Sequence, residues 1–406
     1  LTALSDTTVA IAPPTHQRLL IGDDASIAAH TWRYGPLPQV PGDLIQRMVK
    51  DAGLTGRGGA GFPTYRKVEA VAAGRDPVVV ANGAEGEPAS SKDRVLLRYG
   101  PHLVLDGLVL AARAVGAAET HVYVPVEAAA DVHAALADRR DPITITVHVA
   151  TDAFIAGEES AVVSAVNGGL PAPRDKIVRV VDQGVGGRPT LVQNVETLAH
   201  LALIVRYGPD WFRTQGTTAE PGTFLATVSG VVADPGVCEM PYGVRIGDLI
   251  DATGGATEPV QALLVGGYHG GWIPPDPDIA FSRAGLERYG ATPGAGIVFV
   301  LAADECGLAT TAHLLGYLAG QTAGQCGPCF NGLPRMADTF ASLAELGTPP
   351  SLAGEVERLA RLVTGRGACK HPDGTVRLAR SGLGMFGSEI AAHRAGWCTA
   401  RSGGRR

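Results

Sequence analysis

Hydrophobic and polar positions change period repeatedly along the first half of the chain. Pro77-Val78-Val79-Val80-Ala81-Asn82 is a β-branched run bounded by turn residues, which predicts a short buried strand. His102 to Gly116 places Leu103, Gly107, Leu110 and Ala114 on one stripe, the spacing of a helix. Thr120 to Val126 reads as a strand, Glu127 to Asp138 as an Ala-rich helix and Ile143 to Val149 as a third strand. Further helices are predicted over Asp43 to Leu54, Glu158 to Val166 and Val192 to Tyr207. Strands alternating with helices of this length imply βαβ units and a mostly parallel sheet. Residues 1 to 41 hold several prolines and no clear period, so an arm wrapping this domain is expected.

The pattern changes after a linker-like stretch, Thr214 to Gly222. Phe224 to Val232, the turn at Pro235-Gly236, Gly243 to Gly254 and the return strand Ala262 to Val265 predict a small β-grasp-like domain. From about Thr310 the period is helical again, in Leu314 to Ala319, Gly332 to Leu346 and Leu352 to Thr364. Three segments are therefore expected: an arm plus α/β domain over 1–214, a β-grasp domain over 215–305, and a helical bundle over 306–406. The last carries the basic tail Arg401-Ser402-Gly403-Gly404-Arg405-Arg406.

Composition narrows the function. Apolar residues make up 45% of the 406 positions and no Gly-x-y period exists, which excludes a disordered or collagen-like chain. Lys+Arg 34 against Asp+Glu 40 leaves a net charge of −6, so nucleic acid is not an expected partner. No apolar run reaches the ~18 residues of a membrane helix, since Asp106 and Arg113 interrupt the best candidate. With no basic region leading an apolar core at the start, a cytoplasmic protein without direct membrane insertion is expected. The surplus of 54 glycines points to loops where backbone approaches a ligand.

Four such loops carry candidate chemistry. Gly56-Arg57-Gly58-Gly59-Ala60-Gly61-Phe62 can turn backbone N–H groups toward a phosphate, with Arg57 or Lys67 adding positive charge. It precedes the first sheet strand, so it is neither a Rossmann fingerprint nor a Walker loop, and an ordinary turn-rich loop is the plainer alternative. Asn82-Gly83-Ala84-Glu85-Gly86-Glu87-Pro88 follows that strand, where parallel sheets place ligands, although a solvated acidic turn would look the same. Gly157-Glu158-Glu159 opens a helix after the third strand; acidic residues there also serve simply to complement the helix dipole. Gln193-Asn194-Val195-Glu196-Thr197 opens another, in the manner of a cap.

The six cysteines do not read as a disulfide framework in so long a chain. Cys326-Gly327-Pro328-Cys329 places two thiolates about one helical turn apart, and Cys369 can return across a helical hairpin, a pattern suited to one metal centre. His371 and Cys398 are candidates for a fourth ligand, and buried unliganded thiols are the alternative.

Taken in order, these motifs resemble the NADH-oxidising flavoprotein component of respiratory complex I, its F-type subunit, and the relatives of that subunit in NAD-linked hydrogenases and formate dehydrogenases. The resemblance covers about residues 45 to 380. It implies an FMN domain, a β-grasp domain of the soluble-ligand-binding type and a helical iron–sulfur domain. Gly56, Arg57, Gly58 and Gly59 match the family's flavin loop, and Lys67 its flavin-facing lysine. Asn82, Glu85 and Glu87 match the acidic loop, Gly157, Glu158 and Glu159 the segment bordering the nicotinamide, and Asn194 and Thr197 the later helix start. Phe62 keeps one of the aromatics that sandwich adenine, while Ala70 and Arg179 stand where two others belong; Arg179 is positioned to stack or to favour the extra phosphate of NADPH.

The resemblance further implies that Cys326, Cys329 and Cys369 hold the cluster. Ala323 replaces the family's first cysteine, which implies a [4Fe–4S] cluster with a non-cysteine fourth ligand or a [3Fe–4S] cluster. The implied activity is NADH dehydrogenase-like: electrons pass from NADH or NADPH through FMN and the cluster to a ferredoxin-like or other iron–sulfur protein, or within a larger redox complex. A flavo-iron–sulfur relay without nicotinamide binding, and a scaffold without cofactors, are the alternatives.

Overall fold

The computed structural model describes residues 8–9, 17–175 and 177–402; most of the expected N-terminal arm and the end of the basic tail lie outside them. Two compact units result. One runs to residue 226 and takes in 237–244; the other holds 227–236 and everything from 245 onward.

The first unit is built on four parallel strands, β1 (Val78–Asn82), β2 (Glu119–Val124), β3 (Thr144–Val149) and β4 (Thr190–Asn194), in the spatial order β3-β2-β1-β4. Val79 and Ala81 of β1 face one hydrophobic layer while Val78 and Val80 face the other. A strand covered on both faces needs an unbroken apolar run, and each buried valine contributes about 1.5–3 kcal/mol. The edge strand β3 is only partly covered.

Helices cover the sheet: α1 (Ile27–Tyr34), α2 (Gly42–Ala52), α3 (Thr64–Ala72), α4 (Lys92–Tyr99), α5 (Pro101–Val115), α6 (Val126–Ala137), α7 (Glu159–Val166), α8 (Val195–Tyr207) and α9 (Pro209–Arg213). Pro101 opens α5, where its missing N–H costs nothing. Apart from Arg113, every residue of α5 is buried, and α8 is nearly as enclosed. No single helix among the described residues is long and apolar enough to cross a membrane; α4 and α5 together reach the length but meet at 96°.

The expected helix over Val192 to Tyr207 needs correction. Its first residues belong to β4, the direct neighbour of β1 in register Asn82↔Asn194, and the helix begins at Val195 behind an Asn194 cap. Strand and helix abut with no intervening loop, so the apolar run hides the boundary.

In the second unit β5 (Thr223–Gly230) lies parallel to β9 (Ile297–Ala302) over Thr227 to Gly230. β9 pairs antiparallel with β7 (Val260–Val265), and β7 with β8 (Gly271–Ile273); β6 (Gly236–Pro241) belongs largely to the first unit. With α10 (Ile246–Asp251) this is the mixed sheet of a β-grasp domain. A helical bundle follows: α11 (Arg283–Glu287) precedes β9, then come α12 (Gly307–Gly320), α13 (Leu333–Leu343), α14 (Leu352–Val363), α15 (His371–Met385) and α16 (Gly387–Arg394).

Candidate functional site

In the order β3-β2-β1-β4 the chain leaves β1 toward one edge and returns on its other side at β4. The carboxyl ends of these two strands therefore flank a topological switch point, the crevice where open α/β sheets bind ligands. Asn82 and Asn194 stand there as register partners. Asn82 donates from Nδ2 to the Gly157 carbonyl at 2.9 Å and accepts from Ala84 N–H at 3.1 Å. Asn194 caps α8 by accepting from Glu196 N–H at 3.0 Å and donates to Asp93 Oδ2 at 2.6 Å.

The loops after β1 and β3 touch backbone to backbone. A Cβ on Gly86 would lie 2.5 Å from the Phe154 carbonyl oxygen, and one on Gly157 would lie 2.6 Å from that of Ala84. Glycine at both positions lets the Asn82–Glu87 loop and the Gly157–Glu159 segment form one wall.

The glycine loop closes against this wall. Thr55 bridges Pro63, Gly56 N–H donates to Phe62 O at 2.9 Å, and a Cβ on Gly58 would meet Asn194 Cβ at 3.3 Å. Among the described residues neither Gly58 nor Gly59 donates its N–H to another group. These two amides are thus available to an anion. The Arg57 guanidinium turns the other way: it is buried, bonds Thr55 Oγ1 at 2.8 Å and Pro221 O at 3.1 Å, and lies over the Tyr242 ring. Its main-chain N–H reaches Thr197 Oγ1 at 2.9 Å, so Arg57 and Thr197 pin the loop to α8.

Lys67, on the helix after the loop, reaches Glu159 Oε1 at 2.7 Å. The Glu158 carboxylate caps α7 through the N–H groups of Ser160 and Ala161, the helix-terminus role open to it from sequence. Glu85 likewise receives Asp93 N–H and Arg94 N–H at the start of α4, together with the Ser90 hydroxyl. Glu87 is half-buried in the same loop. A cleft of about 560 Å³, within the range of small-molecule sites, lies between Phe62, Lys67, Ala70, Glu159 and Arg179. Phe62 is 45% exposed there, and Arg179 forks onto Asp182.

Sequence reasoning missed the charged group under this site. Lys92 is fully enclosed, with Nζ 2.6 Å from Asp93 Oδ1, 2.9 Å from Glu196 Oε2 and 3.4 Å from Asn194 Oδ1. Burial alone would raise the Glu196 carboxyl, but Lys92, His200 and Arg57 hold it at about 2. Burial pushes Asp93 up, against the pull of Lys92. The signal available in sequence was Ser90-Ser91-Lys92-Asp93, polar residues opening a helix directly after the acidic loop.

Residues of this kind fit FMN: open loop amides for the phosphate, strand-end amides at the switch point, and a buried donor, Gln193 Nε2, with no hydrogen-bond partner among the described residues. The second unit gathers the three cysteines. Cys326 Sγ lies 3.5 Å from Cys329 Sγ and accepts from the Ala368 main chain, next to Cys369. Cys329 sits in a widened π-type turn, Pro328–Gly332, of the sort often found at functional sites. Burial works to raise the Cys326 thiol, yet donation from the Ala368 and Cys329 main chains leaves it below its ordinary value. His371 does not join them: its Nε2 faces Leu318 O at 2.8 Å and its Nδ1 faces His269 at 3.0 Å. Cys398 belongs to a different group, beside Glu389.

A flavin crevice on a parallel sheet, followed by a β-grasp sheet and a thiolate-bearing bundle, defines a flavo-iron–sulfur component of an oxidoreductase. Residues 49–203 match the Nuo51 FMN-binding domain, and residues 309–393 match the NADH-ubiquinone oxidoreductase-F iron-sulfur binding region. The second F-type subunit of the NADH-quinone oxidoreductase of Rhizobium meliloti (strain 1021) is 31% identical over 376 residues, 86% of this chain and 89% of that one. The NADP-reducing hydrogenase subunit HndC of Solidesulfovibrio fructosivorans is 28% identical over 381 residues, 88% and 77% of the two chains. Among solved structures, an NAD+-reducing [NiFe]-hydrogenase in the H2-reduced state superposes with a TM-score of 0.84 at 30% identity, over 95% of this chain and 68% of that one. The chain belongs to the family of NADH-quinone oxidoreductase F-type subunits. It is an oxidoreductase component of the type that moves electrons from NAD(P)H through FMN to iron–sulfur.

Proposed function

We propose that this chain binds FMN with the Gly56–Gly59 loop, oxidises NADH or NADPH in the cleft beside Lys67 and Glu159, and hands electrons singly to a cluster held by Cys326, Cys329 and Cys369. The observation that carries this reading is the pair of unengaged amides at Gly58 and Gly59 beside Asn82 and Asn194. Bound FMN supplies the chemistry a nicotinamide needs, two-electron uptake with one-electron release. The protein's part is placement. Loop N–H groups hold the phosphate, with Arg57 and Thr197 fixing the loop; Asn82, Asn194 and the Glu85–Glu87 loop set the ring's position. Gly157 leaves room beside it, and Glu158 fixes the start of α7 so that Glu159 and Lys67 face the cleft. Phe62 offers an aromatic face to the adenine.

The partner in this reading is an iron–sulfur electron-transfer protein of the ferredoxin kind within a larger cytoplasmic redox complex. Hydrogenase and quinone-reductase subunits are among the relatives, and among the described residues no disulfide forms. A second reading, a relay that takes no nicotinamide, is favoured by Ala70 and by the fork of Arg179 onto Asp182, which weaken the adenine end of the cleft. Anaerobically purified protein separates the two. Flavin and iron in the preparation, with bleaching on NADH or NADPH, support the first; bleaching by dithionite alone supports the relay. A colourless, iron-free protein after reconstitution overturns both.

A further inference from the structure

Four side chains that the electron path does not use meet in the helical bundle: Cys306, Glu389, His393 and Cys398, each offering one ligand atom within 4.8 Å of all the others. Glu389 and His393 are one turn apart on α16, on the same face. Cys398 follows just past the helix end, and Cys306 is the N-cap of α12. His393 Nε2 lies 3.6 Å from Cys306 Sγ and 3.8 Å from Glu389 Oε1; Cys398 Sγ lies 3.8 Å from Glu389 Oε1. A tetrahedral ion with ordinary zinc–sulfur, zinc–nitrogen and zinc–oxygen bonds separates its ligands by about 3.3–3.8 Å. The three distances fall in that interval, far tighter than the ligands of an iron–sulfur cubane, which stand around a multi-atom core.

Two further observations point to an ion. Among the described residues, Glu389 Oε2 and His393 Nδ1 are buried without hydrogen-bond partners, and both residues are only 2% exposed. A carboxylate left in that state is costly, and a cation among the ligand atoms removes most of the cost. The charge also balances closely. Two thiolates and a carboxylate around a divalent ion leave one excess negative charge, at the N-terminus of a 14-residue helix whose Ala309 N–H already points at Cys306 Sγ at 3.3 Å.

We propose that Cys306, Glu389, His393 and Cys398 form a four-coordinate structural zinc site, separate from the cluster cysteines. Two thiolates with an imidazole select a borderline-soft ion over calcium or magnesium. All four positions come from protein, so no coordination position is left for a substrate, and the ion's work is to tie the start of α12 to α16 and the chain end beyond it.

The test is metal analysis of the full-length chain, isolated anaerobically with its cofactors. The wild type is expected to carry about one zinc per chain besides its iron. His393→Gln and Cys398→Ser should each strip most of the zinc and leave iron unchanged, while Cys369→Ser should strip iron and leave zinc. Zinc-edge X-ray absorption on wild-type protein, which needs no variant to fold, should show two sulfur and two lighter neighbours. Cobalt exchange should give tetrahedral bands with thiolate-to-metal charge transfer. A zinc-free protein that gives no such cobalt spectrum overturns the proposal. So does zinc with three sulfur neighbours that survives His393→Gln and is lost with Cys369→Ser, since that ion would sit on the cluster cysteines.

Discussion

Lys67 Nζ lies 2.7 Å from Glu159 Oε1, joining the helix behind the glycine loop to the segment that follows Gly157. Both side chains are half-buried at the cleft, and Lys67 also reaches the Val192 carbonyl at 3.4 Å. The pair stores a cation beside the open amides, with its charge neutralised until a more anionic group competes for it. A hydrogen bond to a charged partner contributes about 1.5–3 kcal/mol, less where water screens it. Lys67→Met is therefore expected to weaken FMN retention about tenfold, measured by flavin fluorescence on dilution. Glu159→Gln should hold FMN at least as tightly as the wild type. Equal flavin affinity in Lys67→Met and wild type would place the cofactor elsewhere.

Gly86→Ala should lower stability and flavin content together. Its new methyl would sit 2.5 Å from the Phe154 carbonyl oxygen and 2.6 Å from that of Ala153, both backbone atoms that move only with their loop. Overpacking of this kind costs about 1–3 kcal/mol. In a unit of this size that amounts to a melting temperature lower by roughly 2–10 °C. Thermal unfolding followed by flavin release checks it, and unchanged values would show that the two loops can separate freely.

Acid should destabilise the first unit from its interior. Burial pushes His200 down to about 4, below the ~6.5 of an unfolded histidine. Between those values the unfolded chain binds a proton that the folded one refuses, so stability falls as pH drops through that window. Glu196 extends the effect: held at about 2 by Lys92, His200 and Arg57 against its burial, it contributes stability above pH ~4.5 that is lost as pH falls through 2. The His200 contribution alone is on the order of 3 kcal/mol. His200→Leu should flatten the dependence of urea midpoint on pH between 6.5 and 4 by about one proton, and an unchanged slope would contradict a neutral buried imidazole.

The strand–loop grammar of the first unit was legible because each feature carries its own local signature. The Val78–Val80 run, the glycine-dense loop and the strand-end asparagine at position 82 declare themselves within a few residues. β4 did not, because a central parallel strand buried on both faces lacks alternation, and Thr190 to Asn194 passes straight into helix. Lys92, Asp93 and Glu196 look like an ordinary solvated helix surface in sequence; only tertiary packing encloses them. Proximity to Cys369 made His371 a candidate ligand, yet it spends both ring nitrogens on Leu318 and His269. The Cys306 group is spread across the bundle, and no local spacing announces it.

That geometry of His371 leads to a prediction about the cluster. With both nitrogens engaged in a buried chain, a ligand role would require breaking two hydrogen bonds and turning the ring within a packed interior, where its exposure is 5%. His371→Gln should therefore leave the iron-to-protein ratio and the electron paramagnetic resonance signal of the reduced protein unchanged. Ala323 stands three residues before Cys326 at the half-buried start of the same turn, where a side chain can be lengthened without displacing core. Ala323→Cys adds a fourth thiolate there. It should raise iron toward four per chain wherever the wild type holds a three-iron cluster, and lower the midpoint potential where a weaker external donor completes a four-iron one. Loss of iron in His371→Gln, with the zinc content and melting temperature of the wild type retained, would instead make this histidine the missing ligand.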